Sequence, residues 1–125
     1  MGFGYISSEL FKPHALAAGI YGLSNATLDT PWPKLLQCRN ALGQILAQST
    51  NEVNHDALFA LLAQCADSHT PLEQRLLSAP FIAGSDYGTR ASTVLLRRAD
   101  GAQYLEERRF GPHGCYLGSS HATLP

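Results

Sequence analysis

The spacing of apolar residues switches between two periods along this chain. Leu35, Cys38, Leu42 and Ile45 recur at helical spacing, joined by Leu36 and Leu46, and Leu58, Leu61, Leu62 and Cys65 make a second stripe. From Ser92 to Phe110 the pattern is that of two strands about Ala99-Asp100-Gly101, a strong hairpin signal. A 3.6-residue period needs one helix face buried, whereas strands present alternate residues to opposite faces of a sheet. Helical and strand blocks that do not alternate cannot wind into βαβ units. The order strand-strand, helix-helix, strand-strand therefore predicts an α+β fold with mainly antiparallel strands, about four of them, and two or three helices. At 125 residues the chain has the length of one domain and can bury a sizeable core.

Phe3 to Glu9 and Ala18 to Asn25 read as two strands, separated by Pro13 with Lys12 and His14 as turn residues. Gly19 and Gly22 in the second suggest close backbone approach or a bulge. Thr30-Pro-Trp-Pro opens a helix over Pro33 to Gln48, since proline is tolerated in a first turn. Asn54 is the expected N-cap of a second helix, with Asp56 placed to meet its dipole. Thr70-Pro71-Leu72-Glu73 reads as a capping box with Pro71 at the first helical position, opening a helix that Pro80 keeps short. Phe81 to Thr89 reads as loop, and Ser92 to Arg98 and Gln103 to Phe110 as strands. Val94 and Leu96 share one face while Leu95 lies on the other, a pattern expected of a strand covered on both sides. The Glu107 and Arg109 side of the following strand should be wet. Residues 1–112 make one unit, and the aperiodic 113–125 reads as a flexible tail.

A chain 45% hydrophobic and 15% charged should fold, and so low a charged fraction is consistent with a missing partner surface. The net charge of −1 gives no electrostatic case for nucleic acid or an anionic membrane. The one basic cluster, Arg97, Arg98, Arg108 and Arg109, is interleaved with Glu106 and Glu107 and reads as a solvated hairpin face. Three cysteines form no CxxC pair. Cys38 and Cys65 fall on the helical stripes and read as buried free thiols, which suits a reducing, cytoplasmic setting. No apolar run approaches the roughly 20 residues of a membrane span, and the N-terminus lacks the pattern of a signal peptide.

Several residues could carry chemistry, each beside a plainer role. Asn25 and Asp29 make a turn and a helix cap, or Asn25 offers its amide to a substrate carbonyl or an oxyanion. Trp32, held between two prolines, packs the helix onto the sheet or stacks on a ligand. Tyr87 lies in a loop running into Arg90, which pairs with Asp86 or, with small residues such as Ser92 beside it, holds a carboxylate or tunes a nucleophile. Five scattered histidines show no metal spacing, and none is singled out as a haem ligand. No GxSxG, Walker or dinucleotide motif occurs.

Two long stretches, GIYGLSNATLDTPWPK and DYGTRASTVLLRRADG, with PLEQRLLSAPFI between them, resemble the C-terminal part of the NRDE family, also called the transport and Golgi organisation 2 family. The resemblance runs from about Tyr5 to Phe110. The N-terminal Cys and the Asn-Arg-Asp-Glu motif of that family are absent, so the chain looks like a second half. The resemblance implies an N-terminal-nucleophile-hydrolase-like layered sandwich, of which about half is present. It implies a role in Golgi organisation, secretion or the trafficking of haem or lipid-like molecules. Asn25, Asp29, Trp32, Tyr87, Arg90 and Ser92 become the candidate ligand residues, with no metal ligand. The alternative is an amidohydrolase remnant in which Asn25 and Arg90 support a nucleophile that this chain does not carry. A second copy, or the complementing N-terminal half, is the expected protein partner.

Overall fold

The computed structural model describes residues 2–125. Strands β1 (Phe3–Ser7) and β2 (Leu10–Leu16) form an antiparallel hairpin. Helices α1 (Pro33–Gln48), α2 (His55–Leu62) and α3 (Leu72–Ser78) follow. Strands β3 (Ala91–Arg97), β4 (Gln103–Phe110) and β5 (Tyr116–Leu124) then build a second antiparallel sheet in the order β3-β4-β5. The architecture is α+β, with two separate sheets and all helices between them in sequence. Among the described residues no helix is long and apolar enough to cross a membrane.

Helix α1 spans the residues that its apolar spacing predicts, with proline at its first position. Asn54 caps α2: its side chain accepts the Ala57 N–H at 3.0 Å, and Asp56 lies in the first turn. The β3–β4 turn closes through Arg98 N–H to the Ala102 carbonyl, 2.8 Å, and Gly101 N–H to the Arg98 carbonyl, 3.1 Å. Gly101 takes φ 95°, open to glycine at little cost. The core lies where α1 and α2 meet β3. Leu58, Phe59 and Val94 are buried there, and Leu42, Ile45, Val53, Leu62 and Leu96 pack around them.

Six expectations are corrected. The second strand is Leu10–Leu16, not 18–25, and Pro13 with its neighbours Lys12 and His14 lies inside it. The turn is Ser8-Glu9, and Pro13 falls where the register shifts between Tyr5 and Ser7, a place where a missing N–H breaks no regular ladder. Residues 18–25 stay out of a ladder because part of that segment is tied locally, as described below. Helix α3 has no capping box: its N-cap is Pro71, without a side-chain bond, and the Thr70 N–H turns back to the Asp67 carbonyl at 3.0 Å. Cys65 lies beyond α2 and is exposed. It makes a single parallel bridge to Phe81. Leu95 is not covered: it is 62% exposed on an edge strand.

The last correction concerns the segment after Gly111. A turn at Pro112–Gly114, with His113 at φ 57° and Gly114 at φ 71°, reverses the chain. Residues Tyr116–Leu124 then pair along the whole of β4. The strand shows no apolar period because both of its faces are exposed along nearly its whole length.

Candidate functional site

A cleft of about 620 Å³ runs between α1, α2, the 21–24 segment and β3. Its bed is apolar because the stripes of both helices converge there, with Leu35, Leu42, Leu46, Leu58 and Leu61 facing Val94 and Leu96. Lys34, Cys38 and Arg39, all on α1, also line it. Burial pushes the Cys38 thiol up, and the Lys34 charge partly offsets this.

The cleft wall at 21–24 is held by a short closed loop. The Gly22 N–H donates to Asp29 Oδ1 at 2.7 Å, and the Asp29 N–H donates to the Gly22 carbonyl at 2.8 Å. Arg39 Nη1 lies 3.3 Å from the same Asp29 oxygen. Asp29 takes φ 58°, a left-handed conformation that aspartate tolerates better than most residues. Gly22 is required where it sits, since a Cβ there would lie 2.4 Å from Leu35 Cγ. Asp29 therefore closes a loop and does not cap a helix. The N-cap of α1 is Trp32, which has no side-chain capping bond.

The other candidate residues divide between two further clefts. Asn25, Trp32 and Tyr87 come together around a cleft of about 430 Å³, with Lys34 and Thr89. Lys34 Nζ stands 5.4 Å from the Trp32 ring centroid, within reach of a cation–π contact. Thr89 fixes the far wall, its hydroxyl accepting the Ile82 N–H at 3.0 Å. Arg90 is not on that cleft: its side chain is exposed and its carbonyl accepts the Phe110 N–H at 2.8 Å. Asp86 takes the Ser85 hydroxyl at 3.0 Å. Ser92 lines a third cleft, about 260 Å³, with Phe59, Glu106, Arg108 and Phe110. Asn25 and Arg90 thus do not share a pocket wall as the amidohydrolase reading requires.

Sequence reading missed two groups. Lys34 and Cys38 were legible as an i, i+4 pair beside the apolar stripe of α1, the signal of one helix face. The second group lies under α2. Tyr104 O–H donates to Glu106 Oε2 at 2.6 Å, and Arg108 Nε donates to Glu106 Oε1 at 2.9 Å. Arg108 also reaches Asp56 at 3.3 Å and lies 3.8 Å over the Phe59 ring. His55 stacks on Tyr104 at 4.4 Å. The Tyr104 hydroxyl and the Arg108 guanidinium hold the Glu106 carboxyl below the usual range, and the same bond pushes the Tyr104 phenol up. These groups satisfy one another, and their work is to fasten the start of α2 to β4.

Comparison with known proteins adds a second kind of finding. A family model described as Transport and Golgi organisation 2 matches residues 1–112. A Bos taurus protein named Transport and Golgi organization protein 2 homolog is 36% identical over 113 residues, covering 78% of this chain and 41% of that protein. The Homo sapiens protein of the same name is 34% identical over 112 residues, covering 77% and 40%. The chain thus spans about two fifths of the length of the curated relatives it matches.

Proposed function

Because this chain belongs to the transport and Golgi organisation 2 family, we propose that it is the ligand-handling part of a cytoplasmic trafficking protein that serves Golgi organisation and secretion. The observation that carries this reading is the 620 Å³ apolar cleft with two cations on its lining. Small-molecule sites are of this size and kind, with an apolar bed and a few polar groups that orient the ligand. The bed suits an acyl chain or a haem ring, and Lys34 can meet a carboxylate at the mouth while Arg39 is tied to Asp29. An acyl-type molecule fits better than haem. None of the five histidines lines the cleft; of its two side chains of the iron-binding type, the Cys38 thiol is pushed away from the thiolate form and the Tyr21 hydroxyl donates to the Ala17 carbonyl at 3.0 Å.

Binding of a fluorescent fatty acid to the purified chain tests this, with haem added in parallel and followed by its Soret band. The acyl probe should bind. Leu46→Trp, which fills the cleft from an exposed position on α1, should weaken it at least tenfold. Lys34→Glu should weaken a fatty acid and leave the corresponding fatty alcohol unaffected. Unchanged affinity in both variants sinks the proposal.

A further inference from the structure

The cleft has an unusual wall: a bare sheet edge. Among the described residues strand β3 pairs only with β4. The Phe110 N–H bonds the Arg90 carbonyl at one end of the pair, and the Arg98 N–H bonds the Ala102 carbonyl at the other, both at 2.8 Å. The register between them is unbroken. Bonded and non-bonded pairs alternate in an antiparallel ladder, so Ser92, Val94 and Leu96 turn their backbone groups to β4. Thr93 and Leu95 turn their N–H and C=O groups outward, and both residues line the cleft. Neither proline nor lysine, the usual guards of an edge, occurs in β3. The strand is apolar on both sides, with Val94 and Leu96 toward the helices and Leu95 opposite Leu105 on the outer face. The opposite edge, β5, has apolar residues at its two ends but Gly118, Ser119, Ser120 and His121 at its middle, and it does not line the cleft.

The chain as a whole has surface to spare. It exposes 8860 Å². A compact monomer of its 13.5 kDa mass exposes about 6,500 Å². The excess of roughly 2,300 Å² is well beyond the ~800 Å² that one partner gives to an interface of ordinary size. The relatives meanwhile extend well beyond the matched region, which is 41% and 40% of their length.

We propose that the free edge of β3 takes up an extended strand from the part of the longer family chains outside the matched region. The strand's backbone would pair with Thr93 and Leu95, and alternate side chains would enter the cleft and cover the outer face. This inference does not depend on which small molecule the cleft holds.

The test mixes the 125-residue chain with the separately expressed remainder of the bovine relative and follows mass by light scattering and amide exchange by NMR. A one-to-one complex should form, with exchange at the Thr93 and Leu95 amides slowed at least tenfold. Thr93→Pro removes one outward N–H and no backbone β3–β4 bond, losing across that pair only the exposed Thr93 hydroxyl donation to Glu107 Oε2 at 3.3 Å, and should weaken the complex at least tenfold. Leu95→Lys, whose exposed side chain changes without touching any backbone bond, should weaken it too and serves if Thr93→Pro does not fold. Absence of a complex, a complex that leaves both amides unprotected, or indifference to both variants overturns the proposal. So does a homodimer of the chain alone with these amides already protected, since a second copy then holds the edge.

Discussion

Asp29 shows how one side chain can settle a loop. It accepts the Gly22 N–H, meets Arg39, and holds a left-handed backbone. The ion pair is about a third exposed, so its own share is below roughly 1 kcal/mol. Asp29→Asn keeps an acceptor oxygen and tolerates the backbone, and should cost less than about 1 kcal/mol. Asp29→Ala loses the acceptor and meets the left-handed penalty, and should cost roughly 2–3 kcal/mol. Urea unfolding separates the two. Gly22→Ala drives a methyl into Leu35 and should cost about 1–3 kcal/mol by the same measurement. Glu106 gives a pH prediction. Its folded-state pKa is depressed, chiefly by the Tyr104 hydroxyl and then by Arg108, so its stabilisation is complete above the ordinary glutamate value and fades as pH falls through the depressed one. Glu106→Gln should therefore flatten the loss of stability below about pH 4, read from urea midpoints against pH.

Among the elements, α2 and β5 depend on different things. Helix α2 has two turns and buries Leu58, Phe59 and Leu61, so its start must be secured. Asn54→Ala should cost about 1 kcal/mol in thermal or urea unfolding. Strand β5 has little burial to lose and is held by its ladder to β4 and by the Phe110–Tyr116 ring contact at 6.3 Å. Eight registered pairs join β5 to β4. At roughly 0.2–1 kcal/mol per pair, a chain ending at Gly111 should lose about 2–8 kcal/mol. Unfolding midpoints of the full and shortened chains check this. Sequence pattern located α1 and the β3–β4 hairpin because their apolar residues face a core. It could not locate β5, whose pairing partner is backbone and whose faces meet water. It misplaced β2 because Pro13 reads as a break, whereas a register shift accommodates it.

Across the whole molecule the outstanding property is incomplete burial. Even Phe59 and Ala79, the most deeply buried side chains of the core, show 3% of their surface, while Phe3 and Phe11 stand at 70% and 94%. A small change in exposed area on unfolding means a shallow denaturant slope. The chain alone should give a urea m-value below that of compact domains of equal length, and, if the proposed strand pairing at β3 forms, the slope should rise when the unmatched part of the bovine relative is added. The candidate residues were legible as chemistry but not as a constellation. Asn25, Trp32 and Tyr87 do converge, Asp29 is consumed by the loop, and Arg90 and Ser92 stand elsewhere.

Local pattern alone determined the fold class, the span of α1, the cap of α2 and the turn at Asp100-Gly101, because periodicity, capping and turn chemistry act over a few residues. Tertiary structure alone decided that Leu95 lies on an open edge, that Glu106 and Arg108 meet Asp56 beneath α2, and that the α1 face carrying Lys34 and Cys38 lines a cleft. Those outcomes depend on which distant segment comes to lie beside each residue, and short-range spacing carries no information about that.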